Sequence, residues 1–130
     1  MKLDVIIPCY NEEGNIEIFY DEIFKIFKGK KIKYEIIFVN DGSRDKTMEK
    51  LDQLLESSKQ NIKVINFSRN FGKEAAMYAG LQASTGDYVA IMDVDLQDPP
   101  DLIPEMYETL LTTDYDCVAT KRKTRKGENQ

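Results

Sequence analysis

Strand-like apolar runs and amphipathic helical stretches alternate four times along this chain, and no other feature constrains its fold as strongly. Residues 3–7, 33–39, 62–67 and 88–92 read as strands. The last is expected to be fully buried, because its apolar run is unbroken. The stretches between them have helical spacing. Over residues 13–28, Ile16, Phe19, Tyr20, Ile23, Phe24 and Phe27 form one broad apolar face, with Glu12 and Glu13 at the positive end and Gly29 as the stop. Asp45 or Ser43 can cap a second helix at 46–58, with Met48, Leu51 and Leu55 facing inward. A third helix, at 72–83, carries Ala76, Ala79, Gly80 and Ala83 along one side, small enough to approach a sheet closely. Leu102, Ile103, Met106, Tyr107, Leu110 and Leu111 mark a fourth, with Pro104 in its first turn, and 115–120 is a fifth strand. Short connections between such elements imply a mainly parallel sheet with helices on both faces and right-handed crossovers. The expected class is α/β and Rossmann-like: one domain over residues 1–120, then a basic, flexible tail at 121–130.

The unusual polar residues gather where the strands end. Tyr10-Asn11-Glu12 follows the first strand, Asn40-Asp41-Gly42-Ser43 the second, Ser68-Arg69-Asn70 the third, and Asp93-Val94-Asp95 the fourth, with Gln97 and Asp98 just beyond. The loops that enter the strands are ordinary turns. Taken singly, each cluster reads as a turn, a helix start or a solvated acidic pair. Together they mark one edge of a sheet, and ligands of open parallel sheets bind beyond the carboxyl ends of the strands. Two carboxylates one residue apart suit a hard divalent cation, Mg²⁺ or Mn²⁺, which retains waters and shares phosphate oxygens. The expectation is that Asp95, with Asp93, holds a metal and the metal holds a diphosphate.

Composition removes several alternatives. The chain has no histidine, which excludes a His-based catalyst or zinc site. No apolar run approaches the ~20 residues that span a bilayer, and the first residues do not read as a signal peptide. Cys9 and Cys117 are expected to be reduced, buried thiols. The net charge is −5, although residues 121–130 hold Lys121, Arg122, Lys123, Arg125 and Lys126 against Glu128. An acidic body argues against nucleic acid as a partner. The basic tail can meet phosphates or an anionic membrane surface, or simply be solvated. A nicotinamide-binding oxidoreductase lacks its glycine fingerprint here, since Pro8–Asn15 reads PCYNEEGN. A phosphoacceptor domain lacks an acidic pair at the first strand, and a nucleotidyltransferase lacks a Gly-rich basic opening loop.

The segments DVIIPCYNEEGNI, YEIIFVNDGSRDKT and NFSRNFGKEAAMYAGLQASTGDYVAIMDVDLQDPPDLIPEM resemble the donor-binding half of inverting family-2 glycosyltransferases of the GT-A fold. The closest likeness is to the subgroup that makes polyprenyl-phosphate sugars, the dolichol-phosphate mannose synthases and bactoprenol glucosyltransferases. The resemblance runs from Asp4 to about Gly127. It implies that Pro8, Tyr10 and Glu12 contact the nucleotide, and that Val39 and Asp41 make a second contact, with Asp41 accepting from the base. It implies that Asn70, Gly72 and Lys73 form the loop near the sugar-phosphate, with Lys73 either paired to phosphate or solvated. Asp93 would meet ribose or sugar, Val94 would lie with it in the donor site, Asp95 would be the principal metal ligand and Gln97 its helper. Lys121 takes the place of an Arg after the fifth strand and lacks the guanidinium's bidentate fork.

The same resemblance implies sugar transfer from a nucleoside diphosphate, uridine in preference to guanosine, to an acceptor that is a polyprenyl phosphate or a glycan. Basic residues such as Lys121, Arg122 and Arg125 would receive the acceptor phosphate or the donor diphosphate. Members of this family continue past residue 130 with acceptor-side residues and, in the bactoprenol type, membrane helices. The chain is thus expected to be a truncated, donor-binding part with little turnover of its own, from a protein acting in the cytoplasm at the inner face of the membrane. Its unfinished sheet edge is expected to favour self-association. A non-catalytic binding or scaffolding module on the same fold is the alternative.

Overall fold

The computed structural model describes residues 2–58 and 61–92. Four strands and three helices alternate: β1 (Lys2–Cys9), α1 (Ile16–Phe27), β2 (Lys33–Asn40), α2 (Thr47–Ser58), β3 (Ile62–Asn66), α3 (Lys73–Ala83) and β4 (Tyr88–Ile91). The strands lie in the order β3-β2-β1-β4, all parallel. The chain therefore builds outward from β1 to β3, then crosses back to place β4 on the other side of β1. The fourth helix and fifth strand, Cys117 and the basic tail lie outside the described residues.

Side-chain alternation along the strands divides the core between two faces. Leu3, Val5, Ile7 and Cys9 of β1, with Ile36 and Phe38 of β2, pack against Ile16, Phe19, Ile23 and Phe27 of α1 and Leu51 and Leu54 of α2. Ile6, Ile37 and Val39 face the other way, onto Ala76 of α3. Helices on both faces follow from this, as the alternation predicts. The small side of α3 matters: Gly80 is buried, and a Cβ there would strike Ile6.

Four expectations need correction. Strand β1 does not stop at Pro8 but runs through it to Cys9. Among the described residues the β1–β4 ladder ends at Ile6–Ile91, and alternate residues of β1 bond alternate neighbours, so the missing N–H of Pro8 costs no ladder bond. Helix α1 starts at Ile16 rather than Glu13, because Asn15 N–H donates to Glu12 O (2.9 Å) in a turn that precedes it. On α2 the inward residues are Thr47, Leu51 and Leu54, while Met48 and Leu55 are exposed. The Thr47 hydroxyl accepts Glu12 N–H at 2.8 Å, and that tie sets the rotational phase of the helix. Strand β4 is not fully buried: Ala90 and the following Met92 are, but Ile91 is 39% exposed. It is one of the two outer strands of the four described and pairs only with β1 among them.

Candidate functional site

The carboxyl edge of the sheet is cross-linked by side chains that the sequence places on three different loops. The β2–α2 loop is the hub. Its Ser43 Oγ accepts from Asn11 N–H (3.0 Å), and its Arg44 N–H donates to Asn11 Oδ1 (2.8 Å). Asp45 Oδ2 accepts from Glu13 N–H at 3.3 Å, and its Oδ1 accepts the N–H and hydroxyl of Thr47. Burial pushes the Asp45 carboxyl up, but these bonds outweigh it and hold it below the ordinary value. The β1–α1 loop is thereby fastened to the start of α2.

Asp41 fastens the hub to the β3–α3 loop on its other side. The residue is 3% exposed, and its N–H donates to Cys9 O at 2.8 Å. Its Oδ1 accepts from Phe71 N–H (2.7 Å), and its Oδ2 from Asn70 Nδ2 (3.0 Å). Gly72 N–H is shared between them at 3.0 and 3.3 Å. A carboxylate at the positive end of α3 is favourable in its own right. Gly42 has φ +67, and a Cβ there would collide with the backbone of Arg69 and Asn70. The neighbouring Asn40 Nδ2 donates to Asn66 Oδ1 at 3.0 Å, closing the seam between β2 and β3.

Between these loops lies a cleft of about 170 Å³ lined by Pro8, Cys9, Tyr10, Glu12, Asp41 and Lys73. Five of the six are residues singled out in the sequence. Tyr10 is 43% exposed and offers a ring face at the rim. Glu12 uses Oε2 to accept from Asn15 Nδ2 (2.7 Å), which fixes its carboxylate at the start of α1. Cys9 is the lining residue that sequence reasoning missed. Burial, and then the charge of Glu12, push its thiol well above the ordinary range, so it is a neutral wall and not a nucleophile. Its position as the last inward residue of a strand was the available signal.

The structure does not bring every candidate to the cleft. The side chain of Val39 is fully buried on the α3 side of the sheet. Asn70 reaches Asp41 rather than lining the cleft. Asp93, Val94, Asp95, Gln97 and Lys121 lie outside the described residues. Among the described residues no three acidic or Cys/His side chains form a metal-binding group, and no helix is long and apolar enough to cross a membrane. A larger groove of about 350 Å³ runs between α1 and α2, past Glu17, Tyr20, Lys50 and Leu54. It is formed by the two helices and includes a Glu17–Lys50 pair at 3.6 Å.

A parallel α/β sheet whose carboxyl-edge loops close on one polar cleft defines a Rossmann-like binding domain. Residues 4–130 match the family described as Glycosyl transferase family 2, and the chain belongs to that family. It is 45% identical over 128 residues to an uncharacterized glycosyltransferase, sll0501, of Synechocystis, matching 98% of this chain and 40% of that protein. It is 41% identical over 130 residues to the bactoprenol glucosyl transferase of Shigella phage SfX, matching the whole of this chain and 42% of that protein. The chain thus spans about two-fifths of the length of these relatives. Among solved structures, the mannosyltransferase PcManGT of Pyrobaculum calidifontis, in complex with GDP-Man and Mn²⁺, superposes with a TM-score of 0.65 at 29% identity, over 72% of this chain and 27% of that one. S. aureus TarS 1–349 in complex with UDP-GlcNAc superposes at 0.59 with 27% identity, over 82% and 32%.

Proposed function

We propose that this chain is the donor-binding part of a glycosyltransferase that moves a sugar, with inversion, from a nucleoside diphosphate to a polyprenyl phosphate. The observation that carries the reading is the convergence of the three loops on the Pro8–Tyr10–Glu12–Asp41–Lys73 cleft. Tyr10 supplies a ring face for the base, Glu12 an acceptor for base or ribose donors, and Lys73 a cation for the phosphates. Uridine is favoured over guanosine by the likeness to bactoprenol glucosyl transferases, and a glycan is the second acceptor class. Likeness to those proteins also supports action at the inner face of the membrane, with Lys121 and its basic neighbours meeting anionic phosphates.

The sequence fits a hard divalent cation. Strand β4 is parallel to β1, and Met92 N–H donates to Ile6 O at 3.0 Å, so the chain leaves the sheet at the edge where the cleft lies. Asp93, Asp95 and Gln97 follow directly, and their side chains offer hard oxygen donors. Asp95, with Asp93 and Gln97, would hold Mg²⁺ or Mn²⁺. Such an ion supplies positive charge against the diphosphate leaving group. The residues of the chain bind and orient the donor, and an acceptor that is already an anionic phosphate asks little of a general base.

The test is a calorimetric titration of UDP and GDP, with and without Mn²⁺, into the wild type and Asp95→Ala. Binding that needs the metal and is lost in the variant is expected, with UDP the tighter ligand. Identical behaviour of the two proteins would overturn the reading in favour of a scaffolding module.

A further inference from the structure

We propose that Asn11 is a positioning residue for the nucleoside end of the cleft: held in a left-handed turn by the β2–α2 loop, it sets Tyr10 and Glu12 relative to one another. The inference rests on the nucleoside diphosphate reading above and deepens it. Asn11 is exposed and does not line the cleft, yet its neighbours on either side, Tyr10 and Glu12, both do. Its φ is +53. There a Cβ crowds the backbone, and asparagine is one of the few residues with a side chain that visits the region readily. Two bonds from the neighbouring loop hold it: Asn11 N–H donates to Ser43 Oγ (3.0 Å), and Asn11 Oδ1 accepts from Arg44 N–H (2.8 Å). The next two amides continue the seam, Glu12 N–H to Thr47 Oγ1 (2.8 Å) and Glu13 N–H to Asp45 Oδ2 (3.3 Å). Glu12 is thus fixed to the first residue of α2, whereas Tyr10 directly follows Cys9, the last residue of β1. Asn11 is the joint between them, and rotation about its N–Cα bond swings Tyr10 relative to Glu12. A ring face for the base and a carboxylate for base or ribose donors serve one nucleoside only at one mutual setting. Pyrophosphate, which has neither base nor ribose, does not sense that setting.

The experiment is a calorimetric titration of UDP, uridine and inorganic pyrophosphate, each with Mn²⁺, into wild type, Asn11→Ala, Asn11→Asp and Ser43→Ala. Alanine takes up the left-handed turn only at a cost, and affinity falls with the fraction of molecules that hold it. Uridine and UDP should therefore weaken about tenfold in Asn11→Ala, while pyrophosphate stays within about twofold of wild type. Asn11→Asp keeps an oxygen for Arg44 N–H and tolerates the turn, and uridine carries no charge to feel the added carboxylate. Uridine affinity should return in that variant, which a merely loosened surface would not produce. Ser43→Ala removes the other tie from a different residue. It should weaken uridine in the same sense, which keeps the proposal testable should Asn11→Ala fail to fold. Unchanged uridine and UDP affinity in Asn11→Ala or Ser43→Ala would overturn the inference and leave the donor-site reading standing. So would a loss that pyrophosphate shares, or an Asn11→Asp as weak for uridine as Asn11→Ala. A wild type that binds none of the three ligands would overturn the donor-site reading itself, and the inference with it, before any variant is compared.

Discussion

Gly80 of α3 sits against Ile6 of β1 with no room for a methyl group between them. A Cβ at Gly80 would collide with Ile6 Cγ2 and lie 3.2 Å from both Cγ1 and Cδ1 of the same side chain. Ile6 is fully buried, so it has nowhere to retreat. Gly80→Ala gains about 1 kcal/mol of helix propensity but incurs about 1–3 kcal/mol of overpacking. A net loss is expected, read as a lower urea midpoint at unchanged slope. A raised midpoint would show that the helix can lift off the sheet at little cost.

Asp4 should make stability depend on acid. Its side chain is fully buried at the edge of the sheet opposite the cleft. Its Oδ2 accepts from Ser84 Oγ (2.6 Å), Thr85 N–H (2.9 Å) and Gly86 N–H (2.7 Å). Lys2 Nζ lies 3.4 Å from its Oδ1. Burial alone pushes this carboxyl up, but those donors outweigh it and hold it below the ordinary value of 3.8. A lowered native value means that the stabilisation is complete above the ordinary value and is lost as pH falls through the lowered one. Thermal midpoints should therefore fall steeply below about pH 4 in the wild type and less steeply in Asp4→Asn. Asp4→Ala strands three donors and should cost about 2–4 kcal/mol at neutral pH.

Thr47 joins two loops through one hydroxyl, which accepts from Glu12 N–H and donates to Asp45 Oδ1. Thr47→Val keeps the shape and removes both bonds at a fully buried position. The expected loss is about 1–3 kcal/mol. Because Glu12 and Tyr10 share the freed loop, UDP affinity should fall as well. Stability that drops while UDP affinity holds would show that the cleft does not need this tie.

Cys9 should resist alkylation in the folded protein. It is 1% exposed, and its thiol is held neutral by burial. Iodoacetamide at neutral pH followed by peptide mass analysis should leave Cys9 unmodified until denaturant is added. Rapid native labelling would mean that the floor of the cleft opens.

The strands were legible because each apolar run is bounded by turn residues, and their ends shifted by only one or two positions. The site edge was legible for the same reason: Tyr10, Glu12, Asp41 and Lys73 stand out as polar residues where strands or their loops end. What the partners of Asp41 would be was not legible, since they lie 29–31 residues further along and include two backbone amides. Asp4 was hidden inside an apolar strand pattern, and its partners lie 80–82 residues away. The inner face of α2 was misread because Met48-Leu51-Leu55 and Thr47-Leu51-Leu54 are equally good helical stripes. Only the hydroxyl tie of Thr47 chooses between them.

The strand order β3-β2-β1-β4 bears on how the chain is born. β1 is made first, yet one of its two sides has no mate until residues 88–91 emerge, so the tie between Lys2 N–H and Asp87 Oδ2 spans 85 positions. Contacts so distant in sequence slow folding, and an open strand edge during synthesis is a template for the wrong neighbour. A ribosome stalled before Tyr88 should therefore carry a chain prone to clumping, and the same chain should become protease-resistant once Ile91 has cleared the exit tunnel.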